Sequence, residues 1–241
     1  MLRRPQVPAN FRIHISRKSF LLSASHYVSA NFRWYTAGQV PASKAERLVA
    51  KFDRAYGILD NKREFDNKRR RGAARSRLLM LLPDHEGIKV TTDTPVDFIL
   101  LSSDGTGAVH ELENLIRIQS GSPLRYGNLV YRNNGGMKGG GKQKSHWSWF
   151  FNQQFYQDMR EMSLHAARMR DLKRASNLVG QLMIYPPFHG IRVQRAAVFR
   201  SMRKTAIHAG HSQQSLDFIP EKQFWVRKGQ NNVKPLFALL G

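Results

Sequence analysis

The glycine-rich segment Gly136-Met137-Lys138-Gly139-Gly140-Gly141-Lys142 is the first group whose types and spacing could do chemistry. It follows a phosphate-cradling P-loop up to the last position, where Gln143 stands in place of the Ser or Thr that would hold magnesium. No strand ending in a magnesium-binding Asp can be read nearby. The low-complexity stretch 133–144 therefore reads as a flexible loop whose Lys138 and Lys142 trail onto a phosphate backbone. Asp93, Asp97 and Asp104 could supply a carboxylate cluster for metal-dependent cleavage, but nothing in the sequence pins them together. His208-x-x-His211 has metal-ligand spacing and lacks a third ligand nearby. Neither G-x-S-x-G nor H-E-x-x-H occurs. Zero cysteines exclude disulfides, thiolate zinc sites and cysteine nucleophiles. No catalytic residue, no metal and no cofactor is expected.

Chemistry of another kind, the binding of phosphates and bases, has far more residues to draw on. In 10–16, Phe11, Ile13 and Ile15 alternate with Arg12, His14 and Ser16, the period of a strand with one wet face. A short strand followed by two helices is the order of a ribbon–helix–helix reader, in which strands from two protomers pair and enter the major groove. Arg12, His14 and Ser16 are then the candidate base-reading residues, and the protein a homodimer. Phosphate contacts would come from Arg17 and Lys18, from Ser43 and Lys44 at a helix start, and from the cluster Lys68, Arg69, Arg70, Arg71 and Arg75. The aromatics Trp147, Trp149, Phe150, Phe151, Phe155 and Tyr156 could stack on single-stranded bases, though such spacing is more often core.

The elements that must position these residues follow from periodicity. A weak helix is expected over 19–30, then a loop containing Gly38 and Pro41. Ser43-x-x-Glu46 reads as a capping box, with Leu48, Val49, Phe52, Tyr56 and Leu59 at helical spacing behind it and the helix running on into the Lys/Arg cluster. A strand or strand pair broken at Pro95 is expected over 88–103, and helices over 108–118, 147–183 (with a break near Ser163) and 193–208. The fold class is α+β and mainly helical. Residues 1–82 read as a ribbon–helix–helix-like basic DNA-binding region, and 83–132 as a strand and helix core. A Gly/Lys loop (133–146) then precedes a helical C-terminal part with an irregular basic tail (147–241).

The 241 residues hold 39 Lys plus Arg against 17 Asp plus Glu, a formal charge of +22. The charge comes in blocks. No acid precedes Glu46, and none occurs over 114–157 or 172–216, whereas 84–113 forms an acidic island. Blocks of one sign make the extended positive surface that a polyanion needs. Double-stranded DNA is the expected partner. No run of apolar residues is long enough to cross a membrane. An acid-free, Arg- and Ser-bearing start is also how a mitochondrial presequence reads, so an RNA-binding ribosomal protein of the mitochondrial matrix is the alternative.

Five short pieces, Phe11 to Ser16, Pro41-Ala42, Leu82-Pro83, Pro95-Val96-Asp97-Phe98 and Tyr185…Gly190-Ile191-Arg192, carry a family resemblance. In their order the chain resembles the AcaB-like transcriptional regulators of conjugative plasmids and integrative conjugative elements. The cluster at 62–77 and the glycine loop depart from that pattern. The resemblance implies a dimeric, bacterial, nucleoid-associated DNA-binding regulator of conjugative-transfer genes in the cytoplasm, with ribbon–helix–helix character and no catalytic residue.

Overall fold

Alternation at 11–15 does produce a strand, but one set inside a sheet rather than at its edge. The structure is a computed structural model that describes residues 11–82, 90–119, 121–134, 147–221 and 233–236. It divides into two units, Met1–Ser122 with Gly229–Gly241, and Pro123–Lys228. The divide falls beyond the expected boundary at 82, because the strand after that boundary pairs with the strands before it.

In the first unit the elements are β1 (Arg12–His14), α1 (Arg17–Ser29), β2 (Trp34–Pro41), α2 (Ala42–Tyr56), α3 (Lys62–Arg70), β3 (Ser76–Leu81), β4 (Pro95–Ser102), α4 (Ala108–Leu112) and β5 (Ile116–Arg117). The late strand β9 (Val233–Pro235) joins them, and the sheet runs β5-β2-β4-β3-β1-β9. Only β1 and β3 pair in parallel; the other neighbours are antiparallel. Strands β1, β2 and β3 therefore point the same way. The connection through α1 crosses the sheet in one direction and that through α2 returns in the other. A shared right-handed crossover puts the two helices on opposite faces. Packing agrees: α2 buries Ala45, Val49, Phe52 and Tyr56 in one cluster with Leu78, Met80, Val96 and Leu100. The alternate buried residues Leu79, Leu81, Ile99 and Leu101 face the other way, and α1 packs on β3.

The ribbon expectation is corrected by this topology. Both edges of β1 are occupied, His14 pairing with Leu81 of β3 on one side and Arg12 with Pro235 of β9 on the other. A second protomer has no free edge there to pair with. Residues 34–41 are strand rather than loop. Pro41 and Pro95 pair at the end of the β2–β4 ladder, where a missing N–H does least harm. Gly38 lets the Phe98 ring lie across it, since an added Cβ would stand 3.0 Å from that ring. The helix after β2 does not continue into the basic cluster. It ends at Gly57 in the left-handed conformation (φ 64°), and α3 begins with its own capping box. There Asn61 Oδ1 accepts from the Glu64 N–H, and Glu64 Oε2 accepts from the Asn61 N–H.

The second unit holds β6 (Leu124–Tyr126), β7 (Leu129–Asn133) and β8 (Trp147–Phe151) in an antiparallel sheet, then α5 (Gln153–Arg168), α6 (Leu172–Met183) and α7 (His189–His208). The expected helix over 147–183 is thus a strand and two helices, divided at 169–171 rather than at Ser163. Aromatic residues at 147–151 prefer the pleated surface, where Trp149 and Phe151 are buried. Across the described residues, seven helices accompany nine strands, so the fold is mixed α+β and not mainly helical.

Gly190, in the first turn of α7, sits against β8 so closely that an added Cβ would lie 2.5 Å from the Trp149 carbonyl oxygen and the Phe150 ring. Backbone cannot yield as a side-chain tip does. Gly190→Ala is expected to destabilise the protein by about 1–3 kcal/mol through overpacking, read as a lowered urea midpoint with an unchanged slope.

Candidate nucleic-acid interface

Of the three expected base-reading residues, only Arg12 is exposed. His14 is buried beside α1, with Nδ1 2.9 Å from Ser19 Oγ and its ring edge-on to Phe20 at 5.8 Å. Burial pulls its imidazole from the usual 6.5 down to about 4. A neutral, enclosed histidine cannot read a base edge. Ser16 is the N-cap of α1, where its carbonyl accepts from the Ser19 hydroxyl and the Phe20 N–H. Arg17, exposed, and the half-buried Lys18 open that helix.

The first two N–H groups of the helix start at Ser43 are already taken and not open to a phosphate. Ala42 N–H donates to the Thr94 carbonyl (2.8 Å) and Ser43 N–H to that of Thr92 (3.0 Å). The N-cap is Pro41, and no side-chain cap bond forms. The capping box expected at Ser43 and Glu46 is therefore replaced by the loop before β4.

The cluster at 62–77 separates into structural and free cations. Lys68 Nζ lies 2.6 Å from Asp60 Oδ2 and donates to the Tyr56 carbonyl at 2.9 Å. Arg77 stacks 3.9 Å over Phe65 and donates to the carbonyls of Ile58 (2.5 Å) and Asp60 (3.0 Å). Arg75 lies over the Phe32 ring at 5.2 Å. Lys68 and Arg77 thus lock the loop between α2 and α3 and are not phosphate clamps. Lys62, Arg63, Arg69, Arg70 and Arg71 are exposed. A depression of about 430 Å³ on α3 is lined by Lys62, Arg63 and Arg70 together with Asp66 and Asn67. Lys138 and Lys142 lie outside the described residues.

A stronger positive feature lies on α2, and sequence reasoning named only its first member. Lys44, Arg47, Lys51 and Arg54 recur three or four residues apart, the spacing of one helix face. That face is opposite the buried stripe Ala45, Val49, Phe52 and Tyr56. The four cations, with Val40 and Leu48 beneath them, line a groove of about 650 Å³. Glu46 and Asp53 project elsewhere around the helix, and Asp53 Oδ1 accepts the Leu59 N–H. Lys51 has one acidic neighbour, Glu113, at 4.0 Å, and its side chain remains 65% exposed. The spacing of these cations was the available signal. It was passed over because the apolar spacing alone was enough to mark the helix.

The described part of the acidic island does not build a metal site. Asp97 accepts from Gln39 Nε2 (2.7 Å) near the start of β4, whereas Asp104, beyond the other end of that strand, accepts from Trp34 Nε1 (2.8 Å). Asp93 precedes β4. Glu113 accepts from the Tyr56 hydroxyl at 2.5 Å, and burial together with this carboxylate raises the Tyr56 phenol. Among the described residues no group of three or more His, Asp or Glu side chains gathers, and His208 and His211 find no third ligand.

His14 carries a pH signature whose sign is fixed. Its folded-state value lies below the unfolded one, so its contribution to stability is complete above about pH 6.5 and declines as pH falls toward about 4. The loss amounts to as much as about 3 kcal/mol. Urea midpoints measured across that window are expected to fall less steeply for His14→Gln than for the wild type. Comparison of the chain with family models, with curated proteins and with solved structures finds no match.

Proposed function

We propose that the protein binds double-stranded DNA, with the outer face of α2 gripping the phosphate backbone, and that it serves as a regulator of conjugative-transfer genes. The observation that carries the DNA reading is the stripe Lys44, Arg47, Lys51 and Arg54, on the side of the helix turned away from the core. Its length from Lys44 to Arg54 is ~15 Å at the helical rise. That is enough to span neighbouring phosphates along a duplex. Directed at phosphates, these cations make a grip that is electrostatic and indifferent to sequence.

A duplex is favoured over single strands by what has become of the aromatic residues. Single-strand binders need exposed rings on which bases stack. Trp149, Phe150 and Phe151 are instead buried and Trp147, Phe155 and Tyr156 half-buried, and none of the exposed large hydrophobics among the described residues is aromatic. DNA is favoured over duplex RNA by the resemblance of the short motifs to regulators of conjugative transfer. The regulatory role follows from the resemblance of the short motifs.

Anisotropy titrations with a labelled duplex at several salt concentrations test the reading. Replacing Lys44, Arg47, Lys51 and Arg54 by Gln should weaken binding to every duplex alike and flatten the salt dependence by about 0.9 for each phosphate no longer neutralised. Unchanged affinity, or displacement of DNA by structured RNA at equal concentration, would overturn it.

A further inference from the structure

Helices α5 and α6 are joined by three residues, Met169-Arg170-Asp171, and Arg170 takes the left-handed conformation at φ 58°. The turn is tied at several points. Met169 N–H donates to the His165 carbonyl, Asp171 N–H to that of Ala166, and Arg170 Nε to that of Ala209 (2.6 Å). Asp171 Oδ1 in turn caps α6 by accepting the Arg174 N–H at 2.9 Å. A non-glycine residue at positive φ is uncommon and persists where its surroundings fix it. Packed helices joined by so short a turn are common to αα-hairpins and to helix–turn–helix motifs, and in the latter the second helix presents its outer side to the DNA major groove.

The outer side of α6 has the composition that such a role requires. Ala175, Leu178, Val179 and Leu182 form its buried stripe. Lys173, Ser176, Asn177, Gly180 and Gln181 are exposed, and Ile184 follows on the same face, 71% exposed. Amides can pair bidentately with adenine, lysine with guanine, and an aliphatic group can cover the thymine methyl. No acid occurs between Leu172 and Met183. Gly180 is the second observation. A Cβ added there would meet nothing within 4 Å, so no packing among the described residues requires glycine. Yet glycine in a helix interior is unfavourable. Its use on an exposed face allows another molecule to approach the helix backbone closely.

We infer that α6 is the reading helix of a helix–turn–helix that enters the major groove of duplex DNA, with Asn177 and Gln181 contacting base edges. This rests on the duplex-binding reading above, but the two are carried by different helices in different units and fail separately.

The full chain is used to select duplexes from a random-sequence pool, and the recovered consensus is compared with a scrambled duplex at fixed salt. Asn177→Ala with Gln181→Ala should cut discrimination between the two by about 5- to 150-fold for each amide–base pairing removed, leaving affinity for the scrambled duplex near that of the wild type. Gly180→Leu should abolish preference for the consensus while the thermal unfolding midpoint holds or rises. The α2 glutamine variant should lower both affinities together and keep their ratio. If the amide variant discriminates as well as the wild type, or selection returns no consensus although duplex is bound, the reading helix is overturned and duplex binding stands. If the wild type binds no duplex, both readings fall.

Discussion

Lys68 and Arg77 reach the same short loop between α2 and α3, and between them they donate to three of its backbone carbonyls, those of Tyr56, Ile58 and Asp60. The reason is a shortage of counter-ions. With 39 cations and 17 acids, carboxylates are few: Lys68 has Asp60 and still takes a peptide oxygen, while Arg77 donates to peptide oxygens. The second unit repeats the solution. Arg195, nearly wholly buried, donates to the carbonyls of Leu182 and Tyr185, where the C-terminal end of α6 supplies partial negative charge. Arg203 donates to the carbonyls of Leu216 and Ile219 while also meeting the carboxylate of Glu221 at 3.6 Å. Three of the described connections are thus held by cations inserted among peptide oxygens.

That constraint divides the charge into two populations. One is bound into the fold and unavailable to a polyanion. The other lies on helix faces, chiefly α2, the exposed part of α3, and α6, where few acids stand near. Net charge alone cannot separate them, because a lysine donating to a carbonyl and a lysine in water count equally. The distinction also changes what a substitution means. Loss of an exposed arginine alters attraction to phosphate, whereas loss of Arg77 leaves carbonyls unsatisfied and a phenylalanine ring uncovered.

Local pattern made some elements legible. The alternation at 11–15 and the apolar spacing behind Ser43 both depend on neighbours within a few residues. What escaped was decided at long range. Gly38 and Pro41 mark a loop by their local chemistry, yet they sit in a strand because Phe98 and Pro95 of β4 lie opposite them. The outward-facing period of β1 suggested a base-reading strand, but α1 folds back over His14 and two strands close its edges. The turn at 169–171 carries no glycine or proline, so nothing in its composition announced it. Among candidate site residues, Lys44 was found, while Arg47, Lys51 and Arg54 were overlooked although their spacing was visible.

The position of β9 bears on the order in which the molecule can fold. This strand follows the whole second unit in the chain, yet it pairs with β1 near the other end of the sequence. As the chain leaves the ribosome, residues 123–228 can complete their own core while the first sheet still lacks its last strand. Until that strand arrives, β1 exposes a row of unpaired peptide groups, the template on which strands of other molecules can add. The second unit is thus an insertion that delays closure of the first, and pairing between such distant segments is slow. The arrangement makes the final residues of the sheet a late guard against association during synthesis.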